Sequence, residues 1–282
     1  MSSRSIQIGD FRVVALSDAN FALDGGAMFG VVPRVMWERM TPVNEDHTIP
    51  LATNPFLIEG NGVKIVVEPG MGQRWGERQR KMFHIDFSDG HELTESLRAA
   101  GVQPEEVTHC LMSHCHFDHI GAACDVDGKP VFANAEHWAP EIEKQAIMAD
   151  AHLRKASYRI EDLQPIVDAG LLKTFEGAVE IVPGISMIQL KGHSEGVSLI
   201  KIESQGQIAV YWADIVPTRN HVHLPFIMAY DINAEDSWEV RNEWIPRATE
   251  EGWVALLYHD PISPIGKFGF DGKRYTFEAH EG

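Results

Sequence analysis

The sequence predicts an α/β (α+β) chain built as a four-layer αββα sandwich. Three observations carry that expectation. Apolar, β-branched runs separated by turns recur in both halves of the chain, each set of strands is followed by a helical stretch, and 44% of the 282 residues are apolar, enough to bury a sizeable core. No linker or fixed-period repeat divides the chain, so one domain over 1–282 is the simplest organisation.

Taken in order, residues 5–17, 54–59 and 63–67 are strand-like runs, with Glu59-Gly60-Asn61-Gly62 as the turn of an antiparallel meander. Residues 91–100 read as a helix, because Leu93 and Leu97 are four apart and Gly101 supplies a stop. A short buried strand over 107–112 follows, then a strand at 130–133, a helix at 134–145 and a polar, helical stretch to about 165. The later half repeats this logic, with strands at 179–182, 185–190, 197–203 and 207–212. A helix at about 235–250, a strand at 253–258 and a hairpin around Asp271-Gly272 complete it.

Charge narrows the ligand. With 41 acidic against 24 basic residues the net charge is -17, a field that repels polyanions and argues against nucleic acid as a partner. Small neutral or cationic substrates fit better. Cys110, Cys115 and Cys124 are odd in number and form no disulfide framework, which favours a reducing compartment. The amino terminus enters a strand-like pattern without a secretion signal, and no run approaches the roughly 18 apolar residues of a membrane span. These features predict a soluble, cytoplasmic protein without membrane partners, for which a homodimer is an open arrangement.

The chemistry lies in Ser113-His114-Cys115-His116-Phe117-Asp118-His119-Ile120-Gly121, where an apolar strand runs out into a loop. Residues i and i+2 of an extended chain point the same way, so His114 and His116 can grip one metal while Asp118 and His119, past the strand end, turn towards a second. Imidazole with carboxylate suits Zn, Mn, Fe or Co and argues against a thiolate site. Chance clustering of surface or core histidines is the bland alternative, and this spacing at a strand end disfavours it. Cys115 between the two histidines should face the opposite side, as a small buried filler.

This segment resembles the His-x-His-x-Asp-His signature of the metallo-β-lactamase-fold hydrolase superfamily. Gly192-His193-Ser194-Glu195-Gly196 is similar to the family's Gly-His-Thr-Pro-Gly turn, Ala213-Asp214 to the strand end with its bridging aspartate, and Tyr258-His259-Asp260 to the last ligand position. The resemblance implies that His114, His116 and His193 hold one metal ion, that Asp118, His119 and His259 hold another, and that Asp214 bridges them. Two divalent ions, zinc first with Mn, Fe or Co as alternatives, would then be the cofactor. Each downstream candidate follows an apolar strand, so all should emerge at one sheet edge. Two departures stand out: Glu68-Pro69-Gly70 replaces the usual Asp-x-Gly turn, and Val197 replaces a histidine found in many relatives. His109, His137 and Asp260 could support the ligands from behind, but residues of these types in such places are usually ordinary caps or surface residues.

Within the superfamily the chain is similar to the acyl-homoserine lactonase and organophosphate hydrolase-like branch. His116, where the redox di-iron branch has glutamate, favours hydrolysis. The implied reaction is lactone opening by a metal-bridging hydroxide, with Asp118 moving a proton, on a neutral, hydrophobic small molecule. The alternatives are an organophosphate triesterase, a thiolester hydrolase of the glyoxalase II kind and a non-catalytic metal-binding protein. Residues 21–50, with Met28 and Phe29, read either as core or as a mobile apolar wall over the metals. The stretch 221–227 is the candidate opposite wall, and Tyr230, His221 or His223 the candidate donor to a carbonyl oxygen.

Overall fold

Alternation along the strands of the first sheet divides their apolar residues between two cores. In the computed structural model, which describes residues 4–88, 91–151 and 153–281, Phe56, Ile58, Ile65, Val67 and Leu111 face an inner core, while Leu57, Val66, Cys110 and Met112 face an outer one. Successive side chains of a strand point to opposite faces, so a sheet buried on both sides needs apolar residues at every position. That is what these runs supply.

The strands are β1 (Ser5–Ile8), β2 (Phe11–Ala15), β3 (Ala19–Asp24), β4 (Thr48–Thr53), β5 (Phe56–Gly60), β6 (Val63–Val67), β7 (His109–Leu111), β8 (Glu136–Pro140), β9 (Leu172–Phe175), β10 (Ala178–Val182), β11 (Ile185–Gln189), β12 (Ser198–Ser204), β13 (Gln207–Tyr211), β14 (Val254–Leu256), β15 (Ile265–Phe270) and β16 (Tyr275–Ala279). One seven-stranded sheet runs β1-β2-β5-β6-β7-β8-β9 and the other runs β10 to β16 in order; β3 and β4 pair separately. The first sheet is antiparallel up to β6 and parallel from β6 to β9. Helices Leu93–Ala99, Glu141–Met148 and Ile160–Asp168 contribute Leu93, Leu97, Ile147 and Leu163 to the outer core of that sheet. Helix Ala234–Glu250 packs Val240, Ile245 and Ala248 against the other. The expected four layers are present.

Several local expectations are corrected. Residues 130–133 form no strand, and 134–145 is not one helix: β8 occupies 136–140, with only 141–148 helical. The competing interaction is non-local, because β8 is held between β7 and β9 by parallel ladders. Its last residue, Pro140, cannot donate within a helix and becomes the cap of the following one. The segment 21–50, read as core or as a mobile wall and given no secondary structure, holds the β3–β4 hairpin, with helices Gly25–Phe29 and Arg34–Trp37 between its strands. β9 was not expected at all.

Strand direction positions the site. β11 and β13 both run antiparallel to β12, and β13 runs parallel to β14, so β11, β13 and β14 deliver their carboxyl ends to one edge. The loop after β13 is clamped by buried Arg241, which donates to the carbonyls of Ile215, Phe226, His221 and His223. Burial lowers that guanidinium's pKa to about 10, still far above neutrality.

Candidate metal centre

The seven residues singled out in the sequence converge at this edge, and all are buried. His114 and His116 lie just past β7, whose continuation is held by two carboxylates: Ser113 N–H donates to Glu68 Oε1 at 2.7 Å and Cys115 N–H to Glu143 Oε2 at 3.1 Å. The single turn Phe117–Ile120 presents Asp118 and His119. His193 follows Gly192, whose φ is +113° and where a Cβ would stand 2.4 Å from Ser237 Oγ. Only glycine lets the loop pack so closely on that helix. Asp214 lies in the turn Ala213–Ile215 after β13, and His259 after β14, with its N–H on Pro217 O at 3.0 Å.

Two groups of donors share one carboxylate. His114 Nε2 and His193 Nε2 each lie 3.1 Å from His116 Nδ1. His259 Nε2 lies 3.3 Å from His119 Nε2 and 3.6 Å from Asp118 Oδ2. Asp214 Oδ2 is 3.2 Å from His193 Nε2, whereas its Oδ1 is 3.2 Å from His259 Nε2 and 3.3 Å from His119 Nε2. Donors at about 2.0–2.1 Å from a zinc ion and at tetrahedral angles stand about 3.3 Å apart. The triads His114-His116-His193 and Asp118-His119-His259 are each able to hold a cation, and His114, His119 and Asp214 form a third such group along the seam.

The remote ring nitrogens explain why the near ones are lone pairs. His193 Nδ1 faces Asp231 Oδ1 at 3.0 Å, His259 Nδ1 faces the carbonyl of Ala52 at 3.0 Å, and His119 Nδ1 lies 3.5 Å from Glu68 Oε2. The partners of His193 and His259 only accept, so in those two rings Nδ1 donates its proton and Nε2 is left free to coordinate.

Electrostatics ask for a cation. Burial, with His119, His116 and His193 alongside, holds His114 well below the usual imidazole range. Burial would also depress His119, but Asp214 and Asp118 raise it well above that range. Burial would raise Asp214; His259, His119 and His193 instead hold it well below the usual carboxylate range. Protons thus stand where positive charge is needed, and metal binding at such sites displaces them. Asp214 Oδ1 is moreover buried without a hydrogen bond between the two Nε2 atoms. The donor set, mixed imidazole and carboxylate, fits two hard-to-borderline divalent ions.

Several supporting residues were not expected. Glu68 fills the place of the missing Asp-x-Gly aspartate, at a φ of +55°, and touches both His119 and the Ser113 N–H. Asp231 and Glu143 carried no local signal, because each meets its partners across the chain. Val197 is core. Asp260 is held by Arg219 rather than by the site, and His137 Nδ1 by the carbonyl of Ala135.

A cavity of about 190 Å³ opens onto His116, Asp118, His193, Asp214 and His259. Met28 is both core and wall, so the two readings of that residue were not exclusive. Phe29 is wholly core, stacked between Trp37 and His221. The opposite wall is not 221–227 but Met228 and Tyr230, with Leu23, Phe83 and Phe117 completing the apolar lining. His221 bonds Thr218 Oγ1 and the Met28 carbonyl, and burial lowers its pKa to about 4. It props the wall and does not face the cavity. Burial beside Asp24 and Asp118 raises the Tyr230 phenol to about 12, keeping its proton.

The fold and the donor set together define a metallo-hydrolase of the αββα type. Residues 48–259 match the model of the metallo-beta-lactamase superfamily, and the chain belongs to that superfamily. A probable metal-dependent hydrolase from Staphylococcus aureus, 32% identical, superposes with a TM-score of 0.91 over 98% of this chain and 99% of that one. AidC, a dizinc quorum-quenching lactonase solved with N-hexanoyl-L-homoserine, shares the fold at a TM-score of 0.80 and 21% identity, covering 100% of this chain and 98% of its own. An N-acyl homoserine lactonase of Bacillus cereus is 29% identical over 160 residues, 53% of this chain and 58% of that protein. The chain spans a little over half the length of that curated relative.

Proposed function

We propose that residues 1–282 form one binuclear metal-dependent hydrolase domain that opens lactone rings. The split of Asp214, with Oδ2 towards His193 and Oδ1 towards His119 and His259, is the observation that carries this reading. His114, His116 and His193 would hold one ion and Asp118, His119 and His259 the other, with Asp214 available to both; zinc is the first choice for such donors. Two divalent ions so held supply Lewis-acid polarisation and a water whose pKa is lowered towards neutrality.

The chain's own residues do the rest. Asp118, at the cavity floor, takes the proton of the attacking water and returns it to the leaving alkoxide. Tyr230, protonated at neutral pH, donates to the carbonyl oxygen as negative charge develops there. Among the described residues no lysine or arginine lines the cavity, which disfavours anionic esters. Leu23, Met28, Phe83, Phe117 and Met228 offer a dry wall for a hydrophobic substituent, so the substrate is a neutral lactone with an apolar chain, acyl-homoserine lactone-like. Three buried free cysteines accord with a cytoplasmic setting, and among the described residues no helix is long and apolar enough to cross a membrane.

The test is metal content by elemental analysis together with specificity constants on acyl-homoserine and aliphatic lactones, a neutral phosphotriester, a penicillin-type lactam and a glutathione thiolester. Two ions per chain and a lactone as best substrate are expected. A stoichiometry fixed at one would remove the binuclear centre. A triester or thiolester faster than every lactone by tenfold, about 1.4 kcal/mol in transition-state binding, would replace the lactonase reading.

A further inference from the structure

Glu143 is fully buried on helix Glu141–Met148 and, among the described residues, pairs with no lysine or arginine, so its charge has to be met by hydrogen bonds alone. Its Oε2 accepts from the Cys115 N–H at 3.1 Å and the Tyr158 hydroxyl at 3.1 Å; its Oε1 accepts from the Gly196 N–H at 2.9 Å. Cys115 lies between His114 and His116, and Gly196 is three residues past His193. The Tyr158 ring in turn packs edge-on against His116, with centroids 4.9 Å apart. A Cβ at Gly196 would stand 2.5 Å from Ile142 Cγ2 and 3.1 Å from Glu143 Cγ, so the loop reaches the carboxylate only because that residue is glycine. One buried side chain thereby ties together two segments that are distant in sequence and carry three converging imidazoles.

We infer that Glu143 is a positioning residue for the His114-His116-His193 site: its carboxylate sets the spacing of the two ligand loops and so the affinity of that site alone. The inference rests on the ligand assignment proposed above. No such bond runs from Glu143 to Asp118, His119 or His259: Glu68 Oε2 lies 3.5 Å from His119 Nδ1, the Tyr258 hydroxyl donates to the Asp118 carbonyl, and His259 Nδ1 faces the Ala52 carbonyl. Loss of Glu143 therefore acts on one site and spares the other. Glutamine is the sharp replacement, being isosteric but having one acceptor oxygen. Because the two backbone N–H groups approach different oxygens, either rotamer of glutamine sets its NH2 against an N–H, and one loop must move away.

The experiment is stepwise zinc binding to the full chain, measured against a chromophoric chelator, for wild type, Glu143→Gln, His259→Ala and the double variant, with circular dichroism to report folding. Wild type is expected to bind two ions. Glu143→Gln should keep one at wild-type affinity and bind the other about tenfold to a hundredfold more weakly, the range seen when outer partners of metal ligands are removed. His259→Ala weakens the other site, so the double variant should bind neither ion tightly. Fewer than two ions on wild type would overturn the ligand assignment itself. Two ions on wild type with both affinities unchanged in Glu143→Gln, or both sites weakened equally, would overturn the role of Glu143 and leave the assignment standing. Should Glu143→Gln not fold, Tyr158→Phe takes its place, removing one hydroxyl while leaving both backbone bonds. About threefold weakening of one ion is then expected, and no change overturns the inference.

Discussion

His193 Nδ1 and Asp231 Oδ1 lie 3.0 Å apart, both buried, 38 residues apart in sequence. The carboxylate orients the ring, holds its proton on Nδ1 and makes Nε2 more basic towards a cation. Asp231→Asn keeps the shape but not the charge. A tenfold to hundredfold loss of affinity for one of the two ions is expected, in the range typical of such partners, with circular dichroism unchanged. Wild-type affinity in a chelator titration would show that the contact is structural only.

Tyr230 is the phenol at the cavity wall whose proton is secure at neutral pH. If it stabilises the developing oxyanion, Tyr230→Phe removes an interaction made chiefly in the transition state. On the best lactone, kcat should then fall by about tenfold to a hundredfold, about 1.4–2.7 kcal/mol, with KM little changed. A rise in KM at constant kcat would assign it to substrate binding instead.

Gly192 presses on the start of helix Ala234–Glu250, where a Cβ would also stand 2.6 Å from the Ser237 backbone nitrogen. Together with its φ of +113°, this makes Gly192→Ala strained twice over. The variant should lose about 1–3 kcal/mol of stability from the backbone conformation and bind one ion more weakly, because His193 moves with the loop. Denaturant unfolding with and without zinc measures both effects; unchanged metal binding would separate the loop from the site.

Asp18 is fully buried, its Oδ2 accepting from the N–H groups of Met71 at 2.7 Å and Gly72 at 3.2 Å. Burial raises its pKa from 3.8 to about 6, against those hydrogen bonds. A raised carboxyl pKa means that the folded chain binds the proton more tightly than the unfolded one. Its contribution to stability is therefore full below about pH 4 and is lost as the pH rises through about 6. Asp18→Asn removes that titration, so between pH 4 and pH 7 the variant should gain on wild type by about 3 kcal/mol, from a shift of roughly two units. Parallel stability curves for the two proteins would show that Asp18 does not titrate in this way.

The sequence by itself determined the strand periodicity, and with it the two sheets, because apolar residues at successive positions can be satisfied only by burial on both faces. It also determined the His114–His119 cluster, since i and i+2 spacing at a strand end is a local geometric fact. Tertiary structure decided what depends on non-local neighbours. Whether 134–145 became helix or strand turned on the open edges of β7 and β9, which no local propensity records. The roles of Glu68, Asp231 and Glu143 turned on which loop each carboxylate meets. The walls of the cavity, Met228 and Tyr230 rather than 221–227, turned on where buried Arg241 pins the chain after β13. A ligand's identity is written in its own side chain and spacing, whereas the groups that orient it are chosen by packing. The packing exists only once the two halves have closed on one core.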